Sequence, residues 1–344
     1  MNKIKPTFFS YFISKINLSY LLLLLCFNCF SQDYRNKEAY IDDFIKNEYH
    51  LNEKFSEYII ALKDNHIDSR ISTTVNTILL KLNNLNSILT KNDKGWNNDV
   101  ELRNTLIELN RLTIELIKND TFNLTNYQEM SLLPVEQILS SFDDKEKKIQ
   151  EYYKALYNYQ ETKIRFCKKH NISLKQEVKK DNVLEYLSTE GLLFYQVGVM
   201  DAKLIVDIKR GQLADCEKTF MHLKQVCQKS IVKNNLLLKD LKDTSLQKIT
   251  DHYIRSIETI NTSLFNDFKK FSEKQEELKK GKELYKLTKI TSEQYSVYVK
   301  SYNEAKNKYV ASLDLSQKNK VSLLEDWYKS NSMYMTNHIK LVKI

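Results

Sequence analysis

The sequence predicts an all-α protein of long amphipathic helices, arranged as two consecutive four-helix-bundle-like units. Three observations carry this expectation. Only five glycines and two prolines occur among 344 residues, so helix breakers are scarce. Apolar residues recur at alternating steps of three and four, which lines them along one helical face and spoils the alternation a strand requires. A hydrophobic share of 42% supplies enough apolar surface for a packed core.

Taken in chain order, residues 1–31 read as an export signal. Lys3, Lys5 and Lys15 form a basic start without acidic residues, and Leu18–Cys26 is an apolar run. Cys29-Phe30-Ser31 places small residues at −3 and −1 of a cleavage site between Ser31 and Gln32. The run is shorter than the roughly 20 residues a spanning helix needs, so no transmembrane helix is expected in the mature chain. An uncleaved anchor is one alternative. Lipidation at Cys26 or Cys29 is another, although neither cysteine follows the small residue of a bacterial lipobox.

The ending Cys29-Phe30-Ser31-Gln32 resembles signal peptides of flavobacteria and related Bacteroidota. The Asn-, Lys- and Ile-rich body is similar to that of uncharacterised exported all-helical proteins of the phylum. The resemblance implies export to the periplasm or cell envelope, with a lipid-anchored outer-membrane protein as the alternative. It implies no activity.

Spacing then organises the body. Ile71, Val75, Ile78, Leu82, Leu85 and Leu89 make one stripe, and Leu213, Cys216, Phe220, Leu223 and Cys227 another. A third runs from Leu246, Ile249 and Tyr253 through Ile257, Ile260, Leu264 and Phe271. Tyr295, Tyr298, Tyr302, Ala305 and Tyr309 form a fourth, tyrosine-rich one. Such coiled-coil-like stripes are buried by helices packed about 20° apart. The expected helices are 34–64, 69–92, 97–119, 127–169 with a break near Pro134, 181–209, 212–240, 243–280 and 291–331. Asn92-Asp93-Lys94-Gly95 joins the second to the third. Asp143 with Glu146, and Thr291 with Gln294, have capping-box spacing, the first implying a helix restart near Asp143. Gly211 and Gly281 are expected helix ends. Residues 32–175 and 176–344 make the two units, with the boundary in the polar stretch His170–Asn182.

Composition excludes several function classes. No glycine pattern suited to a dinucleotide or phosphate loop occurs. The formal net charge of +9 falls to +6 when the three leader lysines go. Acidic residues interrupt the basic ones, as between Lys269 and Lys289, so no nucleic-acid partner is expected. None of the six histidines follows a glutamate by three residues, and no paired Cys-x-x-Cys occurs. Neither a metal nor a cofactor is expected. Cys167, Cys216 and Cys227 remain after the leader, an odd number that makes no disulfide framework. No nucleophile elbow is present, and no catalytic residue is assigned.

One segment stands apart: Gly191–Met200 is ten residues without a charge. Gly198 shares a heptad position with Gly191, and Asp201 shares the other seam position with Phe194. Two glycines in a helix seam imply close approach by another helix or a ligand, because each costs about 1 kcal/mol relative to Ala. Gly191, Phe194, Tyr195, Gly198 and Asp201 are therefore the candidate ligand or partner region. A packed central helix with Asp201 reaching a lysine is the plainer reading. The tyrosine stripe reads either as core edge or as an exposed surface for a partner. The functional expectation is a non-enzymatic exported interaction or structural module whose partner is a protein or another envelope component. A periplasmic ligand-binding bundle with a pocket near 191–201 is the alternative, and an enzyme with a site assembled from several helices comes last.

Overall fold

The computed structural model describes residues 36–63, 70–119, 124, 126–174, 183–237 and 243–338. Residues 1–31, the expected export signal, and the expected cleavage position at Ser31–Gln32 lie outside the described residues. Those described form nine α-helices and no strand: α1 (Lys37–Lys63), α2 (Arg70–Asn92), α3 (Glu101–Lys118), α4 (Tyr127–Ser131), α5 (Val135–Lys169), α6 (Val183–Arg210), α7 (Leu213–Leu236), α8 (Ser245–Lys286) and α9 (Ser292–His338). The all-α expectation holds. None of these helices is long and apolar enough to cross a membrane.

The chain divides into two compact units. The first contains α1–α3 and the part of α5 from Glu151; the second contains α4, the part of α5 up to Gln150, and α6–α9. The units therefore interleave along the sequence, with Asp120–Gln150 clustering with the later helices.

In the first unit the α2 stripe turns Ile78, Leu82, Leu85 and Leu89 inward. Leu102, Leu106, Leu109 and Leu116 of α3 bury at the same spacing, and Tyr152, Tyr153, Tyr159 and Phe166 come from α5. The α2–α3 connection is the expected one. Asp93 accepts the Gly95 N–H at 2.6 Å and Gly95 adopts a φ of +77°, a left-handed turn in which glycine carries no side-chain penalty. At the end of α5, Asn171 takes a φ of +52° while Ile172 N–H donates to the Cys167 carbonyl at 2.8 Å, closing the last turn.

The second unit is built around α6, whose Leu192–Met200 run is buried on every side. A helix without a polar face must be surrounded, and α4, α5, α7, α8 and α9 supply its neighbours. Pro134 separates α4 from α5 as expected. The restart near Asp143 does not occur: α5 continues through it. Phe142 and Ile149 hold a continuous buried stripe there, and Glu146 pairs with Lys233 of α7 at 2.5 Å instead of reaching back to a helix end. Gly211, at a φ of +74°, does end α6. Gly281 does not end α8, which runs on to Lys286.

Helices α8 and α9 form an antiparallel hairpin of 42 and 47 residues. Its base joins the bundle through Tyr253, Ile257, Leu264, Phe268, Trp327 and Tyr334, all buried. Near the start of α7, Glu217 pairs with Lys269 of α8 at 2.9 Å. Between Phe271 and Ala305 the only buried residue is Gly281, so this stretch is a two-helix arm. Some 16 residues of α8 give it a length of about 24 Å.

Candidate functional site

The α6 midsection places the five sequence candidates together and fills the space between them. Phe194 stacks on Trp327 of α9, with ring centroids 3.7 Å apart and planes 8° from parallel, and meets Tyr253 of α8 at 4.4 Å. Tyr195 lies 5.3 Å from the Tyr127 ring and donates its hydroxyl to Asn126 at 2.6 Å. The Tyr127 ring covers Gly198, where a β-carbon would lie 2.6 Å from it. Gly191 faces Leu124, with 3.4 Å to an added β-carbon. The close approach implied for Gly198 is thus supplied by an aromatic ring at the start of α4, whereas Gly191 makes only an ordinary contact with Leu124. Burial holds the phenols of Tyr127 and Tyr253 far above their usual ionisation range, so they act as neutral packing groups.

Asp201 reaches a lysine. Lys320 of α9 pairs with its carboxylate at 2.6 Å, and Asn261 of α8 donates to the same oxygen at 2.7 Å. The Asn261 carbonyl oxygen in turn accepts from Lys320 at 3.0 Å. Three helices are tied by one charge pair whose polar atoms are mutually satisfied, the condition under which a buried pair is tolerated.

Two further polar groups of α6 were not singled out from sequence. Asp207 is buried and accepts from Lys203 at 2.7 Å and from Thr219 of α7 at 2.6 Å. Glu190 is fully buried, and among the described residues no side chain makes a well-formed hydrogen bond to either of its carboxylate oxygens. Loss of hydration pushes its pKa from the usual 4.5 up to about 7, moderated by Thr250 and Tyr186 nearby. The Thr250 hydroxyl already donates to the Leu246 carbonyl and accepts the Trp327 indole N–H at 3.0 Å, so it leaves Glu190 largely unsupported. The i, i+4 spacing of Lys203 and Asp207 was a readable signal. Glu190 gave none beyond its place beside an apolar run.

The arm carries the tyrosine stripe. Tyr302 and Tyr309 pack on Phe271 at 5.7 and 5.2 Å, and Tyr285 stacks on Tyr295 at 5.0 Å. Tyr298 lies over Gly281, where a β-carbon would meet the ring at 2.8 Å. Glycine here lets two long helices approach closely enough for a tyrosine to bridge them. The stripe is the seam of the hairpin and is half-buried.

No known family model, curated protein or solved structure matches this chain.

Beside the arm's turn lies an open groove of about 610 Å³, with Tyr285, Tyr295, Ser296, Val299, Asn303 and Asn307 along it. In the first unit a cavity of about 30 Å³ lies among Glu48, Asn110, Thr113, Tyr152 and Tyr159, a volume suited to one water. Glu48 there pairs with Lys163 at 2.5 Å. Among the described residues no group of three or more His, Cys, Asp or Glu side chains is placed to hold a metal ion. The thiols of Cys167, Cys216 and Cys227 are free and buried. Burial raises all three pKa values, that of Cys216 to about 12 with help from Asp207 and Asp215, which disfavours the reactive thiolate.

Proposed function

We propose that this chain is an exported, non-enzymatic interaction module of the bacterial cell envelope, in which the second unit holds out the α8–α9 arm to an envelope partner. The observation that supports this reading is the arm itself. Its seam is closed by paired aromatics, while Val297 and Leu287 stand exposed on its outside. A bundle that served only to bury a core would gain nothing from a two-helix extension bearing a solvent-facing groove. The alternative of a ligand-binding bundle at 191–201 requires Tyr127 to vacate the space beside Gly198. The proposal assigns no reaction.

The test is fractionation of source cells with mass measurement of the recovered chain. Export predicts a chain beginning at Gln32 in the envelope fraction. A full-length chain in the cytosol overturns that part. A variant with the arm shortened symmetrically between Phe271 and Ala305 should keep the helical signal of the bundle yet leave the envelope fraction. Undiminished retention would remove the arm from the reading.

A further inference from the structure

The free end of the arm is rich in lysine. Between Lys279 and Lys289 five lysines accompany one carboxylate, that of Glu283, and exposed Glu293 in the first turn of α9 adds a second, so this end keeps a net positive charge. The glutamates that balance the preceding stretch, Glu273, Glu276 and Glu277, all lie nearer the base of the arm. Lys279 pairs with Glu276 and Lys286 with Glu283, both as exposed neighbours on one helix. Such pairs are weak and exchange readily for another anion. Lys280, Lys282 and Lys289 are exposed. Within this basic end, Leu287 is 60% exposed and Tyr285 is 43% exposed.

The turn holds these groups in place. Thr288 takes a φ of +54°, its N–H donates to Tyr285 and the Lys289 N–H donates to Leu284, each at 2.9 Å. Thr291 and Gln294 then cap α9 reciprocally, at 2.9 and 3.3 Å, as their spacing predicted. An apolar residue is therefore exposed at the tip, with exposed lysines at 280, 282, 286 and 289 in the sequence around it.

Building on the reading of the arm as an interaction element, we propose that its tip binds an anionic phospholipid surface, with the lysines on headgroup phosphates and Leu287 entering the interface. Phosphate-bearing leaflets attract basic clusters, and a flanking apolar side chain adds shallow insertion. A protein partner with an acidic pocket would satisfy the charge but would leave Leu287 needing a specific apolar recess. A bilayer meets both needs without one.

Sedimentation of the full exported chain with vesicles tests this. Vesicles of phosphatidylglycerol mixed with phosphatidylcholine should carry the protein down, and pure phosphatidylcholine should not. The variant K280E/K282E/K289E should lose about tenfold or more in binding, since each removed lysine weakens attraction and each glutamate adds repulsion. L287S should bind severalfold more weakly. K306E/K318E/K329E, equal in charge change but nearer the base of α9, should bind as the parent does. All variants alter exposed residues, and unchanged thermal melting verifies their fold. Absent binding, equal binding to both vesicle types, or full binding by the tip variant overturns the proposal. So does arm-dependent envelope retention that survives removal of lipid, which would keep the interaction-module reading and assign the tip to a protein.

Discussion

Replacing Glu190 by glutamine should make the second unit more stable above neutral pH and leave it nearly unchanged in mild acid. The carboxyl sits buried in α6 with no well-formed hydrogen bond among the described residues, and burial raises its pKa to about 7 against an ordinary 4.5. The folded state therefore holds the proton more tightly than the unfolded chain does. The stability this represents is fully present below pH ~4.5 and is lost as pH rises through about 7. A displacement of some two and a half pH units corresponds to about 3 kcal/mol, given about 1.4 kcal/mol per unit. Glutamine has the same shape and cannot ionise, so urea unfolding at pH 8 should show E190Q more stable by up to ~3 kcal/mol. At pH 5 the two proteins should agree within ~1 kcal/mol. Carboxylates whose pKa values are lowered by partners, such as Asp99 beside Lys169 and Asp243 beside His338, slope the other way at lower pH and are shared by both proteins. If the wild-type-minus-variant difference does not change between pH 5 and 8, desolvation of Glu190 is not what the geometry implies.

Other perturbations follow from single contacts. Lys320→Ala removes the charge partner of Asp201, leaving it Asn261 among the described residues, and should cost about 3–5 kcal/mol in chemical unfolding. The double variant D201N/K320M should cost much less, and equal losses would deny the pair its role. Gly281→Ala brings a β-carbon against Tyr298. It should destabilise by about 1–3 kcal/mol despite its better helix propensity, but should stabilise when Tyr298 is already alanine; a gain in the parent would refute the close packing. Gly198→Ala should lower the melting temperature through Tyr127 in the same way. All three described cysteines should resist a thiol reagent in the native protein at pH 8 and react together on unfolding, whereas rapid labelling of Cys216 would contradict its burial.

The helical class, the Pro134 break, the Gly211 terminus and the Thr291 cap were legible because each depends on residues within one or two turns of each other. Gly281 and Asp143 misled for the opposite reason. A glycine ends a helix or admits a neighbour, and only the position of Tyr298, 17 residues onward, decides which. Asp143 had the spacing of a cap, yet Lys233, far along the chain, takes the Glu146 carboxylate. The candidate segment 191–201 was found by its missing charges. What fills it was not: Tyr127, Tyr253, Asn261, Lys320 and Trp327 come from three other parts of the sequence. Periodicity shows that a face is buried without naming what covers it.

The Phe194–Trp327 stack also has a spectroscopic consequence. The chain has two tryptophans. Trp96 belongs to the α2–α3 turn of the first unit, and Trp327 lies buried in the second. A W96F variant would leave one emitter, shielded from water and in contact with an aromatic ring, whose intensity and wavelength change only when α9 leaves α6. The complementary W327F protein would read the other unit alone. Two single-emitter proteins could thus follow, without any added dye, whether the units melt together or in turn.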